Sequence, residues 1–497
     1  MLLTARTTAA RPKALRTPRI AAVLVTATAS AALVAAGAPS PIAPLGIGDP
    51  LFPHLGNPGY DVTSYDIAFT YRGDNRKPLE AVTKIDARVT QPLQRVNLDF
   101  AHGKVRSAEV NGESVRSASS GEDLVLTPAE PVGPGERLRI TVRHTSDPAT
   151  GKKSGWLRTT DGLAMANQAD AAHLVFPCND HPADKAMFTF RVTAPKGLTA
   201  VANGLPAGGP RHHGSTTTRA YRTHHPMATE LAQVSIGRST VLHREGPHGL
   251  PLRDVVPTKD RKALERWLKK TPGQMEWMER KVGRYPFETY GLLIAPVKTG
   301  FELETQTLSL FEERLFTLPH IPEWNVDALM VHELAHQWFG DSVSPQTWSD
   351  LWLSEGHATW YEALYTEERT QRSLEDRMRE AYRDSDGWRA DGGPPARPKR
   401  PAPGQKISPF RPVVYDGSAL VLYALRQEMG HGAFARLERQ WVRAHRDGNA
   451  TTADFVRLAS RNAGRDLGGF FDAWLYGEKT PPMPGHPDWR KGPVRGK

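Results

Sequence analysis

The chain has 497 residues, 39% of them hydrophobic and 24% charged, and a formal charge of +10. That length calls for two or three packed units rather than one core, and no run of about 20 apolar residues beyond the N-terminus provides an internal membrane span. Five of the positive charges lie before residue 20 and four in the final RKGPVRGK, so the body carries only about +1, which removes the electrostatic case for nucleic acid as a partner.

Residues 1–38 place Arg6, Arg11, Lys13, Arg16 and Arg19, with no acid among them, ahead of the apolar stretch IAAVLVTATASAALVAAGA. This is the charge-then-apolar order of a secretory signal. Val34 and Ala36, or Ala36 and Ala38, offer two cleavage sites, with Pro39 weighing against the second. No adjacent arginine pair is present, which favours general secretion over twin-arginine export, and no cysteine follows to make a lipoprotein. The expectation is a secreted or extracytoplasmic protein without stable membrane insertion once the signal is removed; an uncleaved signal anchor is the alternative. Cys178 is the sole cysteine, so no internal disulfide forms.

A Pro/Gly-rich lead-in spans 39–59. From 60 to 243, runs such as SYDIAFTY, KIDARVT, RLRITVRH and MFTFRVTAP alternate apolar and polar residues between turn signals, predicting an antiparallel β domain. From 244 to 485 the apolar spacing changes to three and four, as in DRKALERWLKK, NVDALMVHELAHQWFGD and SALVLYALRQEM, predicting a mainly helical domain. A strand hairpin is expected within YGLLIAPVKTGFELETQTLSL, and an irregular active-site loop from Asp386 to Pro412. Residues 486–497 read as a solvated, mobile basic tail. Asn449 and Thr451 form a glycosylation pattern but read better as the turn and cap before TADFVRLASR.

HELAH puts His332 and His336 one helical turn apart, able to reach one metal, with Glu333 beside it. In DLWLSEGHATWYEAL, Glu355 supplies a third ligand from the next helix. Two histidines and a glutamate leave a position open for water, the coordination of catalytic zinc. His357 is the rival ligand, but two residues on it is turned about 200° from Glu355. Such a site acidifies water and polarises a carbonyl. Glu333 is then the general base, and a second donor is needed for the oxyanion. Cys178, with no base beside it, reads as a packed small hydrophobe.

VHELAHQWFGD followed by WSDLWLSEGHA resembles the zinc signature of the aminopeptidase N-like gluzincin metallopeptidases, relatives of leukotriene hydrolase. FPCNDHPADKAMFTF, VANG, GRYPFETYG and LGGFFDAWLYG resemble further segments of that family, so the resemblance runs from about Tyr60 to Gly477. It implies an α+β multidomain fold in which the β domain precedes a thermolysin-like helical zinc peptidase domain. It also implies one Zn2+ and peptide substrates with a free N-terminus. The family's Gly-Ala-Met-Glu-Asn motif corresponds to Phe301, Glu302, Leu303, Glu304 and Thr305, with only the glutamate retained. By resemblance Glu304 binds the substrate amine, aided by Gln168, and Tyr415 is the oxyanion-stabilising tyrosine. By strand spacing, Glu302 shares a face with Glu304. Ser354 and His357 replace a frequent Asn and Phe. Many relatives continue into a helical C-terminal domain where this chain ends, so a more open cleft is expected. The function expected is a secreted zinc aminopeptidase; a zinc endopeptidase, another small-substrate hydrolase and a non-catalytic peptide-binding protein are the alternatives.

Overall fold

The computed structural model describes residues 45–148, 154–400 and 408–492; the expected signal lies outside them. A β-rich half precedes a helical half, as the change of apolar period predicts. In the strand Tyr60–Thr70, Val62, Tyr65, Ile67 and Phe69 are buried and their neighbours are not, the mark of a sheet with one face on a core. A register shift between Val62 and Ser64 accounts for the one break in alternation. This strand pairs antiparallel with Leu79–Val89 but parallel with Met187–Pro195 in a nine-stranded sheet. The domain is therefore antiparallel with one parallel pair, because the long excursion between those strands returns the chain to the same end. A second sheet of four short strands shares the core. Tyr65 stacks on Phe188 with centroids 4.7 Å apart, and Phe69 meets Trp156 edge-on at 5.3 Å. Cys178 is buried here, and burial raises its thiol well above the ordinary range, as suits a packed hydrophobe.

The boundary expected at 243/244 falls inside a four-stranded sheet, Ser239–Glu245, Pro251–Pro257, Leu292–Ala295 and Ser309–Glu312. Its alternation serves two cores. Val255, Leu293, Ala295 and Leu310 pack into the β core, while Val256, Leu292, Ile294 and Phe311 pack into the helical one. Shared strands of this kind tie the halves together, since neither core is complete without them. Within this sheet Leu292–Ala295 and Ser309–Glu312 run parallel, so the expected hairpin is instead a crossover, and residues 296–308 bring the chain back to the starting end. Leu303 bridges back to Leu310 and thereby folds the crossover, with Glu304, onto the sheet edge.

The helical half is built around Trp277, Trp338, Trp352, Trp360 and Trp441, all buried. Its helices Trp352–Arg369 and Asp416–Met429 approach closely at Gly356, where an added Cβ would lie 2.6 Å from the Ser418 Cβ. Two expectations change in this half. Asp386–Gly392 belong to the helix Leu374–Gly392 rather than to a loop; buried Arg389 donates to Trp474 O at 2.7 Å, Gly477 O at 2.7 Å and Thr480 Oγ1 at 3.0 Å, and this anchoring overrides the turn-rich composition. Irregular backbone begins at Gly393, and 401–407 lie outside the described residues. The start of the tail is also packed: buried Trp489 stacks on Tyr423 at 5.7 Å. Thr451 caps the helix Thr452–Ala463, and Asn449 Nδ2 donates to Pro182 O and Pro345 O.

Candidate active site

The helix Glu323–His336 carries both histidines, and Trp352–Arg369 presents Glu355 in its first turn. The structure brings the three together: Glu355 Oε2 lies 3.4 Å from His332 Nε2 and 3.3 Å from His336 Nε2. All three side chains are buried. The far ring nitrogens are already engaged, His332 Nδ1 with Glu362 Oε2 at 3.0 Å and His336 Nδ1 with Phe339 O at 3.1 Å and Ser354 Oγ at 3.0 Å. Carboxylate and carbonyl partners place the imidazole protons on Nδ1 and leave the Nε2 lone pairs converging on the carboxylate. Glu355 Oε2 has no hydrogen-bond donor of good geometry. Three lone-pair donors aimed at one point call for a cation, and a buried His2Glu set fits zinc with a coordination position open. Proton affinities carry the same imbalance. Burial alone would lower both imidazoles, yet the surrounding carboxylates push each up to about 9, while the imidazoles overcome the upward pull of burial on Glu355 and hold it down to about 2.

Turned away from this cluster, His357 stacks flat on Phe339 at 4.3 Å and places Nε2 3.3 Å from Glu438 Oε1. Gly340, at a φ of 130°, follows the ligand helix where a Cβ would collide with Ser354 Oγ. The departure at Ser354 thus has a structural place: its hydroxyl donates to Phe339 O at 3.0 Å and touches the His336 ring nitrogen.

Glu333 lies beside the ligand trio, its Oε2 buried and without a hydrogen-bond partner. Burial raises its carboxyl well above the ordinary range. Glu304 is buried on the same side, and Glu304, Glu333 and His336 bring ligand atoms within 4.8 Å of one another. Gln168 reaches over from the β domain and its Nε2 donates to Glu304 Oε1 at 2.5 Å. Tyr415, immediately before the helix Asp416–Met429, sets its ring 6.1 Å from that of His332. Burial pushes its phenol well above the ordinary value, so it stays a proton-bearing donor. These seven residues and Glu302 line one cavity of about 290 Å³. Glu302 Oε2 accepts from Glu312 N at 2.7 Å, and burial pushes its carboxyl up to about 8.

Several supporting residues escaped the sequence reading. Glu362, two turns after Glu355 on the same helix face, holds His332 and is held by Arg377 Nη1 at 2.8 Å; Arg377 Nε also reaches Asp416 Oδ1 at 2.9 Å. A polar chain thus runs from a ligand histidine to the residue after Tyr415. Gln337 Nε2 donates to Glu304 O and to Asp341 Oδ2, each at 2.8 Å, fixing the crossover to the ligand helix. Spacing of seven was the available signal for Glu362; Arg377 and Gln337 carry none without the fold.

The described part of the lead-in, from residue 45, forms a packed strap. Buried Asp49 accepts from Leu51 N at 2.7 Å, Phe52 N at 3.0 Å and Trp348 N at 2.8 Å, and pairs with His181 Nε2 at 3.1 Å. Leu51, Phe52 and Leu55 then form one apolar cluster with Trp348, Leu351, Ala169, Val413 and Val414. Ala169 follows Gln168 and Val414 precedes Tyr415, so one strap backs both loops.

Comparison with known proteins agrees with this geometry. Residues 63–231 match the peptidase M1 N-terminal domain and residues 267–474 the peptidase family M1 domain. Aminopeptidase 2 of Candida albicans is 24% identical over 84% of this chain and 46% of its own length. Leucine aminopeptidase 2 of Phaeosphaeria nodorum is 30% identical over 63% of this chain and 50% of its own. The chain spans about half the length, or less, of the curated relatives it matches. Among solved structures, the M1 zinc metallopeptidase of Deinococcus radiodurans, as a variant bound to a Tyr-Ser-Ala substrate, superposes with a TM-score of 0.75 at 26% identity, covering 89% of this chain and 100% of that one. With both halves of the fold matched in order and the converging histidines and glutamate lying inside the matched catalytic segment, the chain belongs to peptidase family M1.

Proposed function

We propose that this protein is a zinc aminopeptidase that removes single N-terminal residues from peptides. One observation carries the reading: a buried carboxylate, Glu304, stands beside His336 and Glu333 at one end of the cavity, with Gln168 against it. A buried carboxylate pairs with an ammonium group and fixes where the next peptide bond lies. The Deinococcus neighbour bound to a tripeptide substrate supports the substrate class.

His332, His336 and Glu355 would hold one zinc ion, which supplies Lewis acidity for water and carbonyl alike. Glu333 takes the proton from the attacking water on its unpartnered Oε2 and passes it to the leaving amine. The Tyr415 hydroxyl donates to the oxyanion, a contribution of roughly 3 kcal/mol in comparable sites. Glu304 and Gln168 hold the substrate amine, and Glu362 keeps the His332 ring oriented. The charge-then-apolar order of residues 1–38 supports export of the protein, which N-terminal sequencing of the mature form from its native source would test.

Glu333→Gln tests the chemical assignment. Its expected result is loss of turnover by a factor of about 1,000 or more with zinc retained at wild-type stoichiometry. Normal turnover with zinc bound would remove Glu333 from the mechanism.

A further inference from the structure

A cluster of arginines lies away from the zinc site. A cavity of about 450 Å³ opens between the loop after the helix Thr271–Val282 and the helix His431–His445. Arg436, Arg439, Arg443 and Arg446 line one wall and Arg284 the other, and no carboxylate is among the lining residues. All five arginines are exposed. Buried Val282, Pro286 and Val442 lie behind them.

Arg436, Arg439 and Arg443 recur at spacings of three and four along this helix, which sets them in one stripe, and Arg446 follows as the residue just past the helix end. Like charges at such spacings destabilise a helix by about 0.2–0.5 kcal/mol per pair. Attraction to the helix C-terminus offsets this for Arg443 and Arg446, but not for Arg436, a turn and a half from the N-terminus, nor for Arg284 on the facing loop. Two of the guanidiniums are braced by backbone: Arg439 Nη2 donates to Arg280 O at 3.1 Å and Arg446 Nη2 to Pro286 O at 2.5 Å. Asp447 sits 3.7 Å from Arg446 Nε and is itself engaged by His225 at 2.9 Å. Among the described residues, Arg284, Arg436, Arg439 and Arg443 make no ion pair.

We propose that this cavity binds a small polyphosphate-type anion, gripped by guanidinium forks from both walls. Its volume suits a small molecule rather than a duplex. Planar guanidiniums match the oxygens of a phosphate two at a time, and the apolar floor keeps water from screening one side. The cavity shares no lining residue with the zinc site, so binding and peptide hydrolysis are separable.

Titration calorimetry of the full zinc-loaded chain with inorganic tripolyphosphate tests this, using wild type, Arg436→Ser/Arg443→Ser and Arg436→Lys/Arg443→Lys. Chelation of zinc by the probe is common to all three and cancels in the comparison. Wild type is expected to bind one equivalent, more weakly as salt rises; the serine pair should be weaker by about tenfold or more and the lysine pair intermediate. Peptidase activity and thermal midpoint stay at wild-type values in both variants, which shows that they fold. Equal binding by wild type and the serine pair, or no binding by wild type, overturns the site. Full binding by the lysine pair overturns it as well, since diffuse charge rather than guanidinium geometry would then suffice.

Discussion

Truncating Phe52 to alanine separates what the strap holds from what the zinc ligands hold. Its ring is buried, meets Trp348 edge-on at 5.6 Å, and shares a cluster with Ala169, Val413 and Val414. Core Phe→Ala changes cost about 3–5 kcal/mol. The lower end applies here, because the Asp49 hydrogen bonds persist and the irregular strap relaxes more readily than a helix would. The kinetic effect is larger than the stability loss alone implies. Loosening the backing of Tyr415 and Gln168 displaces the proposed oxyanion donor and the proposed amine-binding amide together, and a shift of about 1 Å at such groups lowers rates by about 100-fold. We expect a lower melting temperature, a fall in kcat, a rise in KM, and unchanged zinc content, since no metal-ligand candidate belongs to the cluster. The assay is steady-state hydrolysis at a temperature well below the variant's midpoint, paired with metal analysis. A lowered midpoint with kcat and KM both within about twofold of wild type would refute the argument and leave the strap a stabiliser only.

Tyr415→Phe, which removes only the phenolic oxygen, should lower kcat by about 100- to 1,000-fold with little change in KM, read by steady-state kinetics. Gln168→Ala should raise KM for free-amine peptides while leaving kcat within about tenfold, because it supports Glu304 rather than the reacting atoms. A pH effect belongs to the β domain. Burial disfavours charge on His173, but its 2.7 Å contact with Asp180 outweighs that and pushes it up to about 9. The folded value exceeds the unfolded value of 6.5, so this stabilisation is complete below pH 6.5 and is lost as pH rises through about 9. Melting temperature should therefore decline across that window in wild type and more shallowly in His173→Gln, as scanning calorimetry would record.

Much of the site could be read from sequence because its chemistry is local. The spacing of four within one helix set both histidines, and Glu355 followed on the next. The change from period two to period 3.6 near residue 246 marked the passage between halves. What escaped depends on long-range packing. Leu292–Ala295 and Ser309–Glu312 read as the two strands of a hairpin, but strand-forming composition does not distinguish antiparallel from parallel partners. Their two-sided burial was hidden because both cores are apolar. Asp386–Gly392 carry loop-like residues that Arg389 holds in a helix through contacts some 85–91 positions away. The Pro/Gly-rich composition of the lead-in carries no sign of its packing, which depends on partners as distant as Trp348, 299 residues from Asp49.

The central claim is that Glu304 reads a free amine. Its most direct test is hydrolysis of a mixed peptide library by the purified protein, with free and acetylated N-termini side by side and a chelator control. The account predicts stepwise loss of single N-terminal residues from the free peptides, no cleavage of the acetylated ones, and no activity with chelator. Internal cuts in both sets would contradict it and make the protein an endopeptidase.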